Sequence, residues 1–194
     1  MKTFFFAVLL TCLTLAPVVS SRTLAAAMQK ADSPAAPALD LIRLQRYNDA
    51  INRLEQILEA RPTEPDALTY LATAQMYADK DFLKAQKSFE DAFRAGGGAA
   101  FFVNHSHEKL SGNEMAEYCR GWLHLRKDGV RFTPSEGEHG FNLPYSNIVE
   151  VGRNRWSKSL FHIKYGEKNQ NFRGRTGDES EALLVVALYK KFAR

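Results

Sequence analysis

The sequence predicts an α+β protein in which antiparallel helical hairpins are followed by a seven-stranded, curled antiparallel sheet capped by a C-terminal helix. Three observations support this prediction. Apolar residues recur with helical spacing over residues 38–94, whereas short runs of β-forming residues separated by turn residues begin at residue 100. Helical spacing then returns over residues 178–192. The periodicity changes at the triple glycine of residues 96–98, which we interpret as the boundary between two parts.

The first 21 residues have the composition of an export signal. Lys2 precedes an apolar run over residues 4–19, and small residues follow it as processing sites. We therefore expect residues 1–21 to be removed and the protein to be periplasmic or secreted. An uncleaved N-terminal membrane anchor is the alternative, which is less consistent with the threonines and Pro17 that interrupt the run. Residues 22–37, rich in alanine and proline, are expected to form a flexible leader.

Composition and charge exclude several classes of protein. Charged residues make up 25% of the chain and hydrophobic residues 45%, as in ordinary globular domains, so most of the chain is expected to fold. The formal net charge of +4 is too small and too dispersed to predict nucleic-acid binding. After signal removal, Cys119 is the single remaining cysteine, which leaves no internal disulfide. Its alternation with Leu123 and Leu125 predicts a buried, inert thiol.

Four helices are predicted before the glycine boundary, over residues 38–46, 48–60, 65–79 and 81–94. Thr63 or Glu64 before Pro65 supplies a start for the third helix, and Gly96 supplies a stop for the fourth. Residues 79–81 predict a tight turn between the third and fourth helices, because an aspartate stands on each side of a lysine there.

An internal repeat runs through this helical part. Residues 47–54 align with residues 82–89, a period of 35, with aromatic on aromatic and alanine on alanine. Two helices in a repeat of that length are typical of a helical solenoid. Six residues of this helical part carry a resemblance to a known repeat family: Ala50, Leu54, Pro62, Ala72, Ala85 and Phe89.

These residues resemble the tetratricopeptide repeats, of which about two units are present over residues 38–94. In that family a small residue lets partner helices approach closely, and the resemblance implies peptide or protein binding. Two units are fewer than the roughly three that a stable array needs. We therefore expect the helical part to lean on the strand domain, on a partner or on another copy of itself.

Seven strands are predicted, over residues 100–105, 119–125, 129–132, 139–143, 147–151, 160–165 and 171–173. Leu123 alternates with Trp122 and His124, which predicts one face of the sheet in the core and the other in water. Asp178 and Glu181 predict a capping box at the start of the final helix.

Seven short strands closed by one amphipathic helix resemble the pleckstrin-homology-like fold and its GRAM relatives over residues 99–194. The resemblance rests on strand number and order. It implies that basic loops at one end of a barrel can bind anionic headgroups. The predicted organisation is therefore a helical repeat module over residues 38–95 joined to a β domain over residues 99–194.

Residues 153–158 form the most suggestive loop, because three cations and a tryptophan lie between two strands: Arg153, Arg155, Trp156 and Lys158. Tryptophan suits a membrane interface, and cations suit anionic headgroups. Adjacent strands would let further cations widen this patch, namely Lys164, Lys168, Arg173 and Arg175. The simpler interpretation is a solvated hairpin loop whose Trp156 folds back on the sheet.

His105 and His107 lie two residues apart, so on a strand they share a face and make a weak candidate metal site. The third ligand would come from Glu108, His124, His139 or His162, none at a recognised spacing. Exposed strand-end histidines are the simpler interpretation. Serine turns lack a nucleophile-elbow context, and the triple glycine lacks the lysine of a phosphate-binding loop. We therefore predict neither an enzyme nor a cofactor.

The sequence thus predicts a non-catalytic, exported scaffold that binds another protein or a peptide and no nucleic acid. The alternative is weak, salt-sensitive binding to an anionic lipid surface through Arg153, Arg155, Trp156 and Lys158. Metal-dependent hydrolysis around His105 and His107 is a third hypothesis, which stoichiometric zinc that is lost on changing either histidine would support.

Overall fold

The computed structural model of the protein describes residues 33–106, 118–137 and 139–194, so the predicted export signal, His107 and Glu108 lie outside the described residues. The described helices are α1 (Ala36–Arg43), α2 (Tyr47–Ala60), α3 (Pro65–Asp79), α4 (Phe82–Arg94) and α5 (Glu179–Phe192). The strands are β1 (Gly98–Ser106), β2 (Tyr118–Arg126), β3 (Gly129–Pro134), β4 (Phe141–Leu143), β5 (Glu150–Arg153), β6 (Leu160–Tyr165) and β7 (Lys168–Gly174). A 3-10 turn, Tyr145–Asn147, connects β4 to β5.

Local sequence signals explain where the helices begin and end. The Glu64 carboxylate accepts a hydrogen bond of 2.6 Å from the backbone N–H of Ala67 at the start of α3. Asp81 caps α4 in the same way through the N–H of Lys84. Gly96, with φ of +93°, follows the end of α4 in a conformation that favours glycine. The start of α3 and the stop of α4 are therefore as the sequence predicted.

The four N-terminal helices pack in chain order, α1 on α2, α2 on α3 and α3 on α4. The predicted packing residues Ala50, Leu54, Ala72, Ala85 and Phe89 are all buried in these contacts. Pro62 is exposed just beyond the end of α2. Two helical hairpins are thus present, and membership in the tetratricopeptide family stays a prediction.

The seven strands form one antiparallel sheet in the order β4-β3-β2-β1-β7-β6-β5. The two ends of the sheet approach each other through side chains, because the Phe141 ring of edge strand β4 lies 5.6 Å from the Tyr165 ring of β6, the neighbour of the other edge strand, β5. The sheet therefore curls around an apolar interior, filled by Phe101, Leu123, Leu125, Phe132, Phe161, Ile163 and Phe172. Together with the closing helix, this strand order confirms the predicted fold class and agrees with a pleckstrin-homology-like architecture.

Helix α5 packs both on the sheet and on α4, which itself contacts β1. Its buried residues are Glu181, Ala182, Leu184, Val185, Val186, Leu188 and Phe192. The Phe192 ring stacks on Phe93 of α4 at a centroid distance of 3.9 Å. One helix therefore closes the barrel and also joins it to the helical part.

Helices α3 and α4 pack directly on the sheet, so the two helical hairpins lean on the strand domain. The Phe89 ring of α4 lies 5.3 Å from Phe101 of β1, and Tyr70 of α3 contacts His124 of β2 from the other side. All residues of β1 except Asn104 are buried. The prediction that one sheet face is in water is therefore wrong for β1 and for β2 around His124, because the helices occupy that face, whereas Tyr118 and Arg120 at the start of β2 are exposed.

Three hydroxyl groups of α3 bind the backbone of β1 along the edge opposite β2, which is open there because β7 pairs only with residues 103–106 of β1. Thr69 Oγ1 accepts from the Gly98 N–H and Tyr77 Oη accepts from the Phe102 N–H, each at 2.9 Å. Thr73 Oγ1 donates to the Ala100 carbonyl at 2.9 Å. Residues four apart share a helix face, so α3 completes an open strand edge. Thr69, Thr73 and Tyr77 of α3 thus pair with the backbone of Gly98, Ala100 and Phe102 of β1.

The predicted capping box at α5 is only half correct. Asp178 does cap the helix, since it accepts a hydrogen bond of 2.7 Å from the Ser180 N–H. Glu181 instead turns into the junction, the place where α3 meets the loop between β7 and α5. There it accepts from the Tyr77 hydroxyl at 3.0 Å and from the N–H and hydroxyl of Thr176. Gly174 makes room for it, because a Cβ there would lie 2.3 Å from the Glu181 carboxyl carbon. Burial raises the pKa of Glu181 despite these hydrogen bonds.

Candidate functional site

The basic loop, residues 153–158, is a tight turn between β5 and β6. The Asn154 N–H donates to the Leu160 carbonyl at 2.8 Å and closes the turn. The Trp156 N–H donates to the Asn154 side-chain oxygen at 2.9 Å, an Asx turn that fixes the local backbone. Ser157 and Ser159 exchange a hydroxyl hydrogen bond at 3.3 Å. The backbone that presents Trp156 is therefore well defined by hydrogen bonds.

Trp156 projects into solvent, with 83% of its surface exposed. The interpretation that it folds back on the sheet is therefore wrong. Burying an aromatic side chain of this size would stabilise the folded chain by about 3 kcal/mol. The isolated chain forgoes that stabilisation at the tip of the basic loop.

The three cations of the loop have different surroundings. Arg153 pairs with the Glu179 carboxylate in the first turn of α5, so it anchors the loop to that helix. Arg155 and Lys158 are exposed, and no carboxylate oxygen in the described part of the chain lies within 4.0 Å of either. The loop therefore presents two cations next to an exposed indole.

The predicted widening of this patch is wrong for three of the four further cations. The Arg175 guanidinium donates to the carbonyls of Ile42 and Arg43 at 3.1 Å and so caps the C-terminal end of α1. Lys164 and Lys168 lie toward the far end of the β6–β7 hairpin, about 15 Å from the loop at the usual rise per strand residue. Arg173 lies opposite Leu160 and is half-buried.

The histidines predicted as metal candidates are placed apart. His105 is buried inside the barrel, where its ring stacks on Phe172 at 4.9 Å and hydrogen-bonds Gln170. His124 is on the opposite face of the sheet, against Tyr70. His162 lies 3.5 Å from the Glu150 carboxylate on β5. Among the described residues, no three metal-ligating side chains form a group that could hold an ion.

Cys119 lies beside His105, with its sulfur 3.6 Å from Nδ1 of the ring. The thiol is half-buried rather than fully buried. Burial raises the pKa of the Cys119 thiol, which disfavours the thiolate that acts as a nucleophile.

Helix α3 offers no open groove for a peptide. None of its residues before Ala78 is exposed, since α2, α4 and β1 pack around it. The repeat resemblance implies peptide binding, but the chain itself covers the surface of α3.

No helix among the described residues has the length and apolar character needed to cross a membrane.

Two exposed leucines near the loop escaped the sequence analysis. Leu83 of α4 is 84% exposed and Leu183 of α5 is 45% exposed. A helical projection of the sequence predicts the exposure of Leu83, because this residue falls outside the stripe of Ala85, Phe89 and Ala92 that α4 buries.

Comparison with known proteins gives limited guidance. No family model matches the chain, and no curated protein does. The N-terminal PH domain of human ARAP2 is similar in structure at 14% identity over 48% of this chain and 76% of that chain, with a TM-score of 0.37. The C-terminal domain of an unknown protein from Leishmania infantum is similar at 11% identity over 47% and 81% of the two chains, with a TM-score of 0.35. The fold assignment rests on strand order and the closing helix, not on these likenesses.

Proposed function

We propose that the protein is a non-catalytic docking module that binds anionic lipid at a membrane surface through its basic loop. The observation that carries the proposal is Trp156, 83% exposed on a turn held by hydrogen bonds. Arg155 and Lys158 flank it without a carboxylate partner in the described ranges. An indole is at home at the interface between headgroups and acyl chains, and cations are attracted to anionic headgroups.

The expected binding is weak and reversible. Each exposed cation near an anionic surface contributes about 1 kcal/mol, so Arg155 and Lys158 together contribute roughly 2 kcal/mol before the indole is counted. Salt screens such contacts, so affinity is expected to fall as ionic strength rises. Export through the predicted signal would bring the module to the cell envelope, where such surfaces are available.

Cosedimentation with vesicles tests the proposal on the full chain. The variant combines Arg155→Ala, Trp156→Ala and Lys158→Ala. The matched control combines Tyr118→Ala, Lys164→Ala and Lys168→Ala, which also removes two cations and one exposed aromatic residue, at the other end of the barrel. Phosphatidylcholine vesicles are used with and without phosphatidylserine, at low and high salt.

We expect the wild type and the control to sediment with phosphatidylserine vesicles at low salt only. The loop variant is expected to lose roughly twenty-fold or more in vesicle affinity, since two cations at about 1 kcal/mol each give that factor. Equal binding by the wild type and the loop variant would contradict the proposal, as would a loss confined to the control.

A second candidate function is docking on a partner protein through the same loop. Tryptophan and arginine are the residues that most often dominate the binding energy of protein interfaces, and the turn around Trp156 is already ordered. This scaffold function does not need α3 to offer a groove. A purified envelope protein that binds the wild type but not Trp156→Ala, while phosphatidylserine vesicles bind neither, would favour this candidate over the first.

A further inference from the structure

Helices α4 and α5 run side by side in the same direction. Their C-terminal ends are joined by the Phe93–Phe192 ring stack and by an ion pair of 2.5 Å between Glu90 and Lys191. Their N-terminal ends also lie near each other, because the Tyr77 hydroxyl, near the end of α3 and five residues before α4, donates to Glu181 in the first turn of α5 at 3.0 Å. The two helices therefore form one ridge on the outside of the molecule.

The basic loop lies against the first turn of this ridge. The ion pair between Arg153 and Glu179 joins the end of β5 to the start of α5. Contacts between β5 and α5 continue along the strand. The loop, α5 and α4 thus follow one another across the surface, with α5 in the middle.

Exposed apolar side chains lie on each of the three elements. Leu183 comes one turn after Glu179, so it shares the α5 face that turns toward the loop. Leu83 comes two turns before Glu90, so it lies on the α4 face that turns toward α5. Trp156 completes the series at the loop. These side chains are 45%, 84% and 83% exposed, respectively.

Cations without ion-pair partners lie among these apolar groups. Lys87 follows Leu83 by one turn, and Lys190 follows Leu183 by two turns. Within the described ranges, no carboxylate oxygen lies within 4.0 Å of Lys87 or Lys190. Glu90 is paired with Lys191 and Glu179 with Arg153, whereas Asp81 and Asp178 cap the two helices through backbone N–H groups. Lys87 and Lys190 lie beyond these first turns, so they give that part of the surface a positive charge.

We propose that the α4–α5 ridge and the basic loop form one continuous docking face for an anionic bilayer. Leu83, Leu183 and Trp156 would enter the interface, and Lys87 and Lys190 would contact headgroups. This inference rests on the proposed function and extends its site from one loop to three elements.

Charge and composition favour a bilayer over a protein as the occupant. Lysine is depleted from the cores of protein interfaces, whereas surfaces that lie in a membrane interface combine lysine and arginine with leucine and tryptophan. Cations alternate with the exposed leucines along the two helices, since Lys87 follows Leu83 and Lys190 follows Leu183 by whole turns. A fluid surface can receive such separate side chains without a complementary pocket.

The test uses the full chain with Leu83→Asp, Leu183→Asp and the double variant in phosphatidylserine vesicle cosedimentation. Leu44→Asp is the matched control, since Leu44 is an exposed leucine at the end of α1, which packs on α2 and α3. A second variant, Lys87→Glu with Lys190→Glu, tests the same face without touching an apolar residue. Circular dichroism checks that each variant is folded.

We expect each leucine variant to weaken vesicle binding on the order of ten-fold, because it removes an apolar contact and adds a repelled charge. The lysine variant should bind at least as weakly, and Leu44→Asp should bind like the wild type. Wild-type binding that is lost in the loop variant but kept in the leucine and lysine variants would overturn this inference and leave the proposed function standing. Equal loss in Leu44→Asp would also overturn it.

Absence of vesicle binding by the wild type would overturn the inference together with the proposed function. In that case, a purified protein that binds the wild type but binds Leu183→Asp more weakly would show that the face binds a protein. Failure of the face appears as vesicle binding that depends on the loop alone, whereas failure of the proposed function appears as no vesicle binding at all.

Discussion

Helix α3 and the basic loop place their side chains in opposite ways. The helix buries three hydroxyl-bearing side chains, Thr69, Thr73 and Tyr77, and each finds a backbone partner on β1. The loop exposes an indole, Trp156, with 83% of its surface in solvent. Buried polar groups with partners hold a fold together, whereas an exposed large apolar side chain on an ordered turn suggests contact with something outside the chain.

The contrast changes the role of the helical part. From the sequence, the repeats were the expected binding surface, and they were expected to lean on the strand domain, on a partner or on another copy of the chain. The packing of α3 between α2, α4 and β1 makes the helices part of the same folded unit as the sheet. Deleting the helices would therefore test folding before it tested binding. The variants below separate these two roles.

The largest expected effect is on the contact between the helices and the sheet. Phe89→Ala removes a fully buried ring that packs on Phe101, which should lower the free energy of unfolding by about 4 kcal/mol. Urea unfolding is followed by far-ultraviolet circular dichroism and by tryptophan fluorescence. Both signals should shift together. Unfolding of the helices before the sheet would contradict the single folded unit, because the helices would then be a separate module.

A smaller effect is expected from one hydroxyl group of α3. Tyr77→Phe removes the acceptor of the Phe102 N–H and a donor to Glu181, both buried, which should cost about 2 kcal/mol of unfolding free energy. Tyr47→Phe is the matched control, since the Tyr47 ring stacks on Tyr77 at 5.8 Å and is only half-buried. The control should change stability by less than about 0.5 kcal/mol. Equal effects would show that the hydroxyl contributes nothing at the strand edge.

The junction should also make stability depend on pH. Burial raises the pKa of Glu181 above its ordinary value of 4.5, so the folded chain keeps this proton to a higher pH than the unfolded chain does. The contribution of Glu181 is therefore complete below pH 4.5 and is lost as pH rises through the raised pKa.

Comparison with Glu181→Gln isolates this contribution, because the variant keeps the shape and removes the titration. The wild type should lose stability relative to the variant as pH rises above 4.5, because ionising the buried carboxyl costs free energy that the amide does not incur. Urea unfolding at a series of pH values gives the difference. A difference that is constant, or that moves in the opposite direction, would show that Glu181 is not held against ionisation.

Local signals in the sequence predicted most of the elements. Glu64 and Asp81 cap helices because carboxylates before a helix satisfy free N–H groups, and alternation marks the strands. These relations join residues that are close in the chain. The loop around Trp156 was found in the same way, from its composition, and its binding role stays a prediction.

Relations between distant residues account for what the sequence did not reveal. Thr69, Thr73 and Tyr77 are spaced by four, but no nearby residue in the sequence shows that they face the open edge of β1. Glu181 has the spacing of a capping residue, yet the space beside Gly174 draws it into the junction. Arg175 was assigned to a surface patch, and its partners on α1 lie more than a hundred residues away.

The most direct test places Trp156→Ala beside Tyr77→Phe and measures both urea unfolding and binding to phosphatidylserine vesicles. Trp156→Ala should leave the unfolding free energy within about 0.5 kcal/mol of wild type, because the side chain is exposed, and should weaken vesicle binding several-fold. Tyr77→Phe should lower stability and leave vesicle binding unchanged. The account is contradicted if Trp156→Ala binds vesicles like the wild type, or if it destabilises the fold as much as Tyr77→Phe does.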